Sequence, residues 1–378
     1  MKIFNKSEWK KVKLGDICDI LDSRRIPISE EKRIKGKYPY YGANGIQGYI
    51  NDYIFDEELV LLAEDGGNFG SKTKPIAYKI NGKTWVNNHA HVLKAKNKII
   101  STDFLLYSLM FYNVTKLITG TTRKKLTRTG MEKITLFIPN LDMQEKITNY
   151  LQKIEKFVFF RKNQLTYLKE LNKSLFTRMF GTPEYNEKGW NFISLKDISY
   201  TKGEYGSNKP AINYNGGYRY IRITDINATG ELKTEKVGVS DEEIEAQKYA
   251  LKENDILFAR SGATVGKNFL YNKKYGKCIF AGYLIRFKLN PHLISTKYLK
   301  IYLDTNYYWN WVKNCQNIVA QPNINAKQYG EDLKIMLPPI ELQNKFAERV
   351  EKIEKLSFIF DKPIIFSTFL NLYKKVSA

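Results

Sequence analysis

The chain repeats itself, and that constrains its fold more than any other feature. Trp9, Leu14, Asp16 and Ile17 return as Trp190, Leu195, Asp197 and Ile198, 181 positions later. Ala63-Glu64-Asp65-Gly66 with Gly70 returns as Ala259-Arg260-Ser261-Gly262 with Gly266, an offset of 196. Ile100-Ser101-Thr102 returns as Ile294-Ser295-Thr296, and the run from Ile138-Pro139 to Gln144 returns as Leu337-Pro338 to Gln343, an offset of 199. The anchors keep their order while the offset grows from 181 to 199, so the second copy carries the extra residues. A repeat this long means two related domains rather than a solenoid, and 378 residues suit two domains. Identity is low between anchors, so the copies share a scaffold while their surfaces differ.

Each copy reads in two parts. The first is rich in Gly, Tyr, Ile and Val, with short alternating runs such as Tyr218–Ile226 and Asp255–Ala259 bounded by turn residues. Short helical stretches, 102–111 and 296–302, interrupt them. The second part is a long helix, with Pro139 or Pro338 stopping the last strand and Asp142 or Glu341 near the helix start, where a carboxylate suits the dipole. Apolar residues then fall at three-to-four spacing: Ile147, Leu151, Ile154, Val158, Leu165 and Leu168, continuing to Leu175 and Met179. Arg161 and Asn172 take the two polar seam positions, and a seam Asn can fix register at some cost in stability. From Met143 to Phe180 such a helix is roughly 57 Å long. The second helix repeats the pattern through Phe346, Val350, Ile353 and Phe360 until Pro363 breaks it before a short apolar piece, 364–373. An α+β fold is expected: two similar mixed, largely β domains at 1–140 and 183–339, each followed by a helical segment, 141–182 and 340–378. Two related helices in one chain favour mutual pairing; the plainer alternative is an amphipathic core helix in each domain.

Catalytic signatures are decoys. Gly262 to Lys267 resembles a phosphate-binding loop, but one spacer is missing and Asn268 replaces Ser/Thr, so a strand turn is expected. Asp225…Glu231-Leu232-Lys233 has the residue types of a metal-dependent nuclease at too short a spacing, in a turn context. His89 and His91 alternate on one strand face with no third ligand nearby, so a zinc site is not expected there. No dinucleotide fingerprint and no Asn-Pro-Pro-Tyr or Asp-Pro-Pro-Tyr methyltransferase motif occurs. Cys18, Cys278 and Cys315 are far apart and show no CxxC spacing, which argues against a disulfide framework or a zinc site and fits a reducing cytosol. The start lacks an apolar signal core and no run approaches 18 apolar residues, so an intracellular chain outside the membrane is expected.

Binding signals are better. Lys plus Arg exceed Asp plus Glu by 22, and the surplus is spread along the chain, which suggests an extended polyanion partner. The segment Thr119 to Gly130 holds Thr121, Thr122, Arg123, Lys124, Lys125 and Arg128 without an acid, a set that can contact phosphates. Its counterpart exchanges cations for amides: Gln321, Asn323, Asn325 and Lys327. Asn and Gln pair with adenine and Arg with guanine in the major groove, so the two loops look like readers of different sequences. Tyr41, Asn44 and Gln47 lie in a turn-rich aromatic segment and are further base-edge candidates, although Asn44-Gly45 also reads as a hairpin turn. Arg24, Arg25, Lys72, Lys74, Arg219, Arg222, Arg260 and Lys267 complete the candidate DNA contacts.

These residues resemble a known family, the specificity subunits of type I restriction–modification systems. The resemblance covers nearly the whole chain and rests on Trp9…Ile17, Tyr40 to Ile46, Ala63 to Gly67, Thr224-Asp225-Ile226, the two Pro…Gln helix starts and Ser174 to Gly181, in this order and duplicated. It implies two target-recognition domains separated by an antiparallel, pseudo-two-fold pair of helices. Each domain then reads one half of a split, asymmetric site on double-stranded DNA, and the helices fix the gap. It further implies two modification subunits that bind S-adenosylmethionine and methylate adenine N6, and restriction subunits that use ATP and Mg²⁺; this chain holds no cofactor or metal and performs none of that chemistry. Such a subunit is expected in bacterial or archaeal cytoplasm, on the nucleoid. Pro363 departs from the pattern, and Phe358, Phe366, Phe369 and Leu370 are candidates for a subunit contact instead of helix pairing. A coiled-coil scaffold without DNA readout is the competing class; a fused modification enzyme lacks its motif.

Overall fold

The computed structural model describes residues 8–71, 73–227, 230–240, 243–316, 323–360 and Val376. The chain divides into two compact units, residues 1–163 with 362–378 and residues 164–361.

The first unit runs β1 (Lys10–Lys13), α1 (Leu14–Ile17), β2 (Cys18–Ile20), β3 (Tyr38–Gly42), β4 (Gly45–Ile50), β5 (Phe55–Asp56), β6 (Leu59–Ala63), β7 (Ala77–Ile80), β8 (Lys83–Val86), β9 (Ala90–Ala95), α2 (Thr102–Leu109), α3 (Arg128–Glu132) and β10 (Thr135–Ile138). α4 (Leu141–Phe180) follows. The second unit runs β11 (Phe192–Ser194), β12 (Glu204–Tyr205), β13 (Ala211–Asn213), β14 (Arg219–Ile221), β15 (Val237–Val239), α5 (Glu243–Lys248), β16 (Asp255–Ala259), β17 (Asn268–Leu270), β18 (Cys278–Phe280), β19 (Leu284–Lys288), α6 (Thr296–Tyr302), α7 (Asn306–Gln316), β20 (Lys334–Met336) and α8 (Ile340–Phe360).

The duplication is structural as well as sequential. β1 pairs antiparallel with β10 as β11 does with β20. A four-stranded antiparallel sheet, ordered β2-β9-β6-β7, has its equal in β12-β19-β16-β17. β3 pairs parallel with β8, and β14 with β18. The central strands read Leu-Val-Leu-Leu-Ala and Asp-Ile-Leu-Phe-Ala and are buried throughout, because both faces of each are covered. Most of the second copy's extra residues fall between β14 and β16, where α5 stands.

Two buried glutamines explain one of the sequence anchors. Gln144 Nε2 donates to the Ile99 and Pro139 carbonyls at 2.9 and 3.0 Å, and its Oε1 accepts from Ser101 N–H at 2.9 Å. Gln343 donates to Leu293 and Pro338 at 3.2 and 2.7 Å and accepts from Ser295 at 2.9 Å. Each carboxamide closes backbone groups on two segments that would otherwise be buried unpaired.

α4 has 40 residues, about 60 Å. Its first turns bury Ile147 and Leu151 in the first unit's core with Leu14, Phe104 and Leu136. Its last turns bury Phe176 and Phe180 in the second unit's core with Tyr298, Phe346 and Val350. Phe346 of α8 meets Phe176 and Phe180 at ring-centroid distances of 5.9 and 5.3 Å. The intervening seam residues Ile154, Val158, Leu165, Leu168 and Asn172, and Ile353 of α8, are half-buried. The ends of the periodic pattern thus belong to ordinary core packing. Pro363, the 364–373 piece, Phe366, Phe369 and Leu370 lie outside the described residues, as does the Phe358 side chain. Val376 is buried in the first unit's core. No helix among the described residues is long and apolar enough to cross a membrane.

Candidate nucleic-acid interface

Five segments of the first copy converge on one cleft of about 400 Å³: the 27–33 stretch before β3, the end of β3 with the β3–β4 turn, the loop after β6, the β8–β9 turn and the 119–128 loop. Gly66 at φ +61° lets the chain leave β6 sharply, and Gly262 at +70° does the same after β16, which is why this anchor repeats. Asp65 bridges to Lys125 by backbone, and Leu126 N–H donates to Glu64 O at 2.7 Å; in the second unit Ser261 bridges to Asn323 and Ile324 donates to Arg260 at 2.8 Å. The two loops with different polar alphabets therefore occupy the same place in their scaffolds.

Within the first cleft, Asn44 Nδ2 donates to Gly66 O at 2.9 Å and Gln47 Oε1 accepts from Asn87 Nδ2 at 3.0 Å. Asp65 takes Arg123 at 2.9 Å and lies 2.6 Å from His89 Nδ1. Asn44, Gln47 and Arg123 were legible as candidates; Asp65, Asn87, Asn88 and His89 were not assigned there. The polar triplet Asn87-Asn88-His89 between two strand patterns is the signal that could have found them.

Beneath this cleft lies an ionic network. Arg25 Nη1 is 2.6 Å from Glu64, His91 Nδ1 is 2.6 Å from Asp22, and His91 Nε2 is 2.8 Å from the Leu126 carbonyl. Burial alone would raise the Asp22 carboxyl, but the His91 hydrogen bond and charge, the Val92 N–H and Arg25 outweigh it and hold it below the ordinary value. The expectation that no third ligand approaches the histidines is thus corrected for His91, since Asp22 and Glu64 gather around it. Arg25 supplies the cation for this group, and His89 belongs to the turn before β9, with a separate partner.

The second unit has a groove of about 920 Å³ lined by Ser207, Lys209, Arg222, Thr224, Arg260, Ser261 and Tyr283, among others, and among the described residues no acid lines it. Tyr283 is exposed, and Arg260 lies over the Tyr205 ring at 4.9 Å with Nε 3.4 Å from Asn323 Oδ1. Arg222 and Arg260 were candidates; Ser207, Lys209, Thr224 and Tyr283 were not.

Several candidate cations have structural employment. Arg219 is 5% exposed and donates to the Lys233 and Glu235 carbonyls at 2.5 and 3.2 Å, so its reading as a DNA contact is corrected: the guanidinium is spent on its own loop. Arg25 is likewise committed to Glu64 and Asp22. Arg24 pairs with Glu57 at 2.9 Å over the Phe55 ring, and Arg128 pairs with Glu132 at 3.0 Å. Lys125 pairs with Glu64 at 3.0 Å, so the loop that has no acid in sequence receives two from the β6 turn. Arg222 grips Asp225 at 2.9–3.0 Å, which also makes the nuclease-like residues a turn. Tyr41 packs on Tyr78, 5.8 Å between centroids, and is half-buried. Asn325 Oδ1 accepts from Gln328 N–H at 2.9 Å, and Lys327 lies 4.0 Å from Glu331. Thr121, Thr122, Lys74 and Lys124 are exposed, and neither lysine has a salt bridge among the described residues; Lys267 is half-buried. Lys72 and Gln321 lie outside the described residues.

The loop resembling a phosphate cradle is a strand turn. Tyr308 Oη donates to Gly266 O at 2.5 Å, and Tyr329 Oη accepts from Gly266 N–H at 3.2 Å, so tyrosines fill the turn. Burial pushes the Cys18 thiol up to about 12 and Cys278 up to about 11, which leaves neither a ready nucleophile.

Comparison with known proteins gives a consistent match. A family model described as "Type I restriction modification DNA specificity domain" matches residues 6–170 and 187–364, once per copy. A Haemophilus influenzae protein named as a type I restriction enzyme specificity subunit is 27% identical over 365 residues, covering 93% of this chain and 88% of its own. The MjaVIII type I restriction enzyme specificity subunit of Methanocaldococcus jannaschii is 23% identical over 383 residues, covering 92% and 87%. Among solved structures, a type I restriction–modification S subunit from M. genitalium shares the fold at a TM-score of 0.59 and 15% identity, covering 97% of this chain and 96% of its own.

Proposed function

The chain belongs to the type I restriction–modification DNA specificity family, and on that premise we propose that it is the DNA-reading subunit of such a system. Each unit reads one half of a bipartite, asymmetric site on double-stranded DNA. α4 with α8 sets the gap between the halves and docks two modification subunits, and restriction subunits join the same assembly. The chemistry belongs to those partners: S-adenosylmethionine-dependent methylation of adenine N6, and ATP- and Mg²⁺-dependent translocation and cleavage. The target adenine must leave the base stack to reach a partner's pocket. The assembly acts on chromosomal and incoming DNA in the cytoplasm.

One observation carries this reading. The two units share the terminal strand pair, the four-stranded sheet order and one parallel pair, yet the equivalent clefts are lined by different hydrogen-bonding groups: Asn44, Gln47, Asp65 and Arg123 in one, Thr224, Ser261 and Tyr283 in the other. A common scaffold with divergent polar loops is what two readers of unlike sequences need. Deleting the gene and mapping N6-methyladenine by single-molecule sequencing tests it. Loss of one bipartite motif is the expected result. An unchanged methylome, with duplex binding that does not respond to salt, would favour the protein-joining scaffold.

A further inference from the structure

The first unit's cleft holds an acid where a polyanion reader has least use for one. Asp65 is 15% exposed, and its Oδ1 lies 2.9 Å from Arg123 Nη2 and 2.6 Å from His89 Nδ1. Its backbone is fixed from both sides, by the end of buried β6 and by the bridge to Lys125. Arg123 stays 63% exposed, so one corner of the guanidinium is tied down while the rest faces solvent at the cleft.

A guanidinium already neutralised by a carboxylate contributes little as a phosphate counter-ion. It remains a planar fork of five donors, and a partner on one of them restricts its orientation. Two parallel donors in fixed orientation match the O6 and N7 acceptors that only guanine presents side by side in the major groove. The second unit has replaced this set: Ser261 stands where Asp65 does, Asn323 where Lys125 does, Gly282-Tyr283 where Asn88-His89 do, and Gln321 takes the place of Arg123 by sequence offset.

We propose that Asp65 is a positioning residue that orients Arg123 to read a guanine in the half-site of the first unit, and that the second unit has no such pair. The proposal rests on the DNA-reading function above. Arg123 is thereby moved from the phosphate contact its sequence suggests to a base contact.

The test uses the full chain co-expressed with its modification subunits, with methylated motifs mapped for wild type, Asp65→Asn, Arg123→Ala and Arg123→Lys, and the salt dependence of duplex binding measured for each assembly. A G·C pair in one half-site is expected, with discrimination at that pair falling on the order of tenfold to a hundredfold in all three variants while the other half-site keeps its sequence. Arg123→Lys keeps the charge and loses the fork, so relaxation in this variant separates orientation from charge. If Asp65→Asn fails to fold, the exposed Arg123→Lys decides alone. Uniform weakening at all sites in Arg123→Ala, with the salt slope reduced by about one, marks a phosphate contact and overturns the proposal, as does a half-site without a G·C pair. A wild-type methylome that contains no gene-dependent bipartite motif overturns the DNA-reading function itself.

Discussion

Residue identities in this chain matter most where they close buried polar groups. Gln144 and Gln343 each satisfy one N–H and two carbonyls away from water. Truncating either to Ala leaves those groups unpaired, at about 1–3 kcal/mol for a buried polar group, so each variant should lose stability on the order of 3 kcal/mol in denaturant unfolding. A loss under about 0.5 kcal/mol would mean that water replaces the carboxamide. Asp22 makes a pH prediction. Its carboxyl lies below the ordinary value of 3.8 in the folded chain, so the ionised group stabilises fully above the unfolded value and loses that contribution as pH falls through the folded one. Asp22→Asn should therefore be less stable near pH 7, with a flatter decline between about pH 5 and 2, measured by chemical unfolding across pH. Equal slopes would remove Asp22 from the acid transition. Lys124 is exposed with no salt bridge among the described residues, so it suits a phosphate. Lys124→Ala should lower the salt slope of DNA binding by about one and leave the methylated motif unchanged.

Among the elements, α4 is built from two amphipathic core segments joined by a half-buried middle. Ile147 and Leu151 serve one core, Phe176 and Phe180 the other, and the helix between them is continuous. Such an element can act as a spacer because helix length scales with residue number. Seven residues added at its middle lengthen it by about 10 Å, close to three base pairs of duplex. The methylated motif of that variant should keep both half-sites and gain about three base pairs between them. An unchanged gap would remove α4 from the role of ruler. The four-residue offset patterns were readable in the sequence, but they could not separate a seam from a core face, since both place apolar residues at three and four.

At the scale of the whole molecule, duplication lets one architecture carry two surfaces. The shared parts are those that physics makes expensive to change: fully buried central strands, positive-φ glycines after them, and a glutamine closing two backbone segments. The divergent parts are loops whose backbone is already fixed by these, so their side chains can be exchanged at little cost in stability. A net charge of +22 then supplies affinity without choosing a sequence. Around the first cleft the charges balance locally, since Arg25, Arg123 and Lys125 share Asp22, Glu64 and Asp65, so the surplus lies elsewhere on the chain.

The sequence by itself determined that there are two related copies, where each long helix starts, and that the catalytic-looking motifs are turns, because period, proline and spacing are local properties of the chain. Asn44, Gln47 and Arg123 stood out for the same reason, as polar groups in turn-rich segments. Only the tertiary structure decided which of them meet. Asp65 comes to Arg123 from 58 residues away, and Glu64 to Arg25 from 39, through β pairings that no local pattern encodes. It also decided that Arg219 is buried on carbonyls while Tyr283 is exposed beside a groove, since burial depends on what the rest of the fold places opposite a side chain.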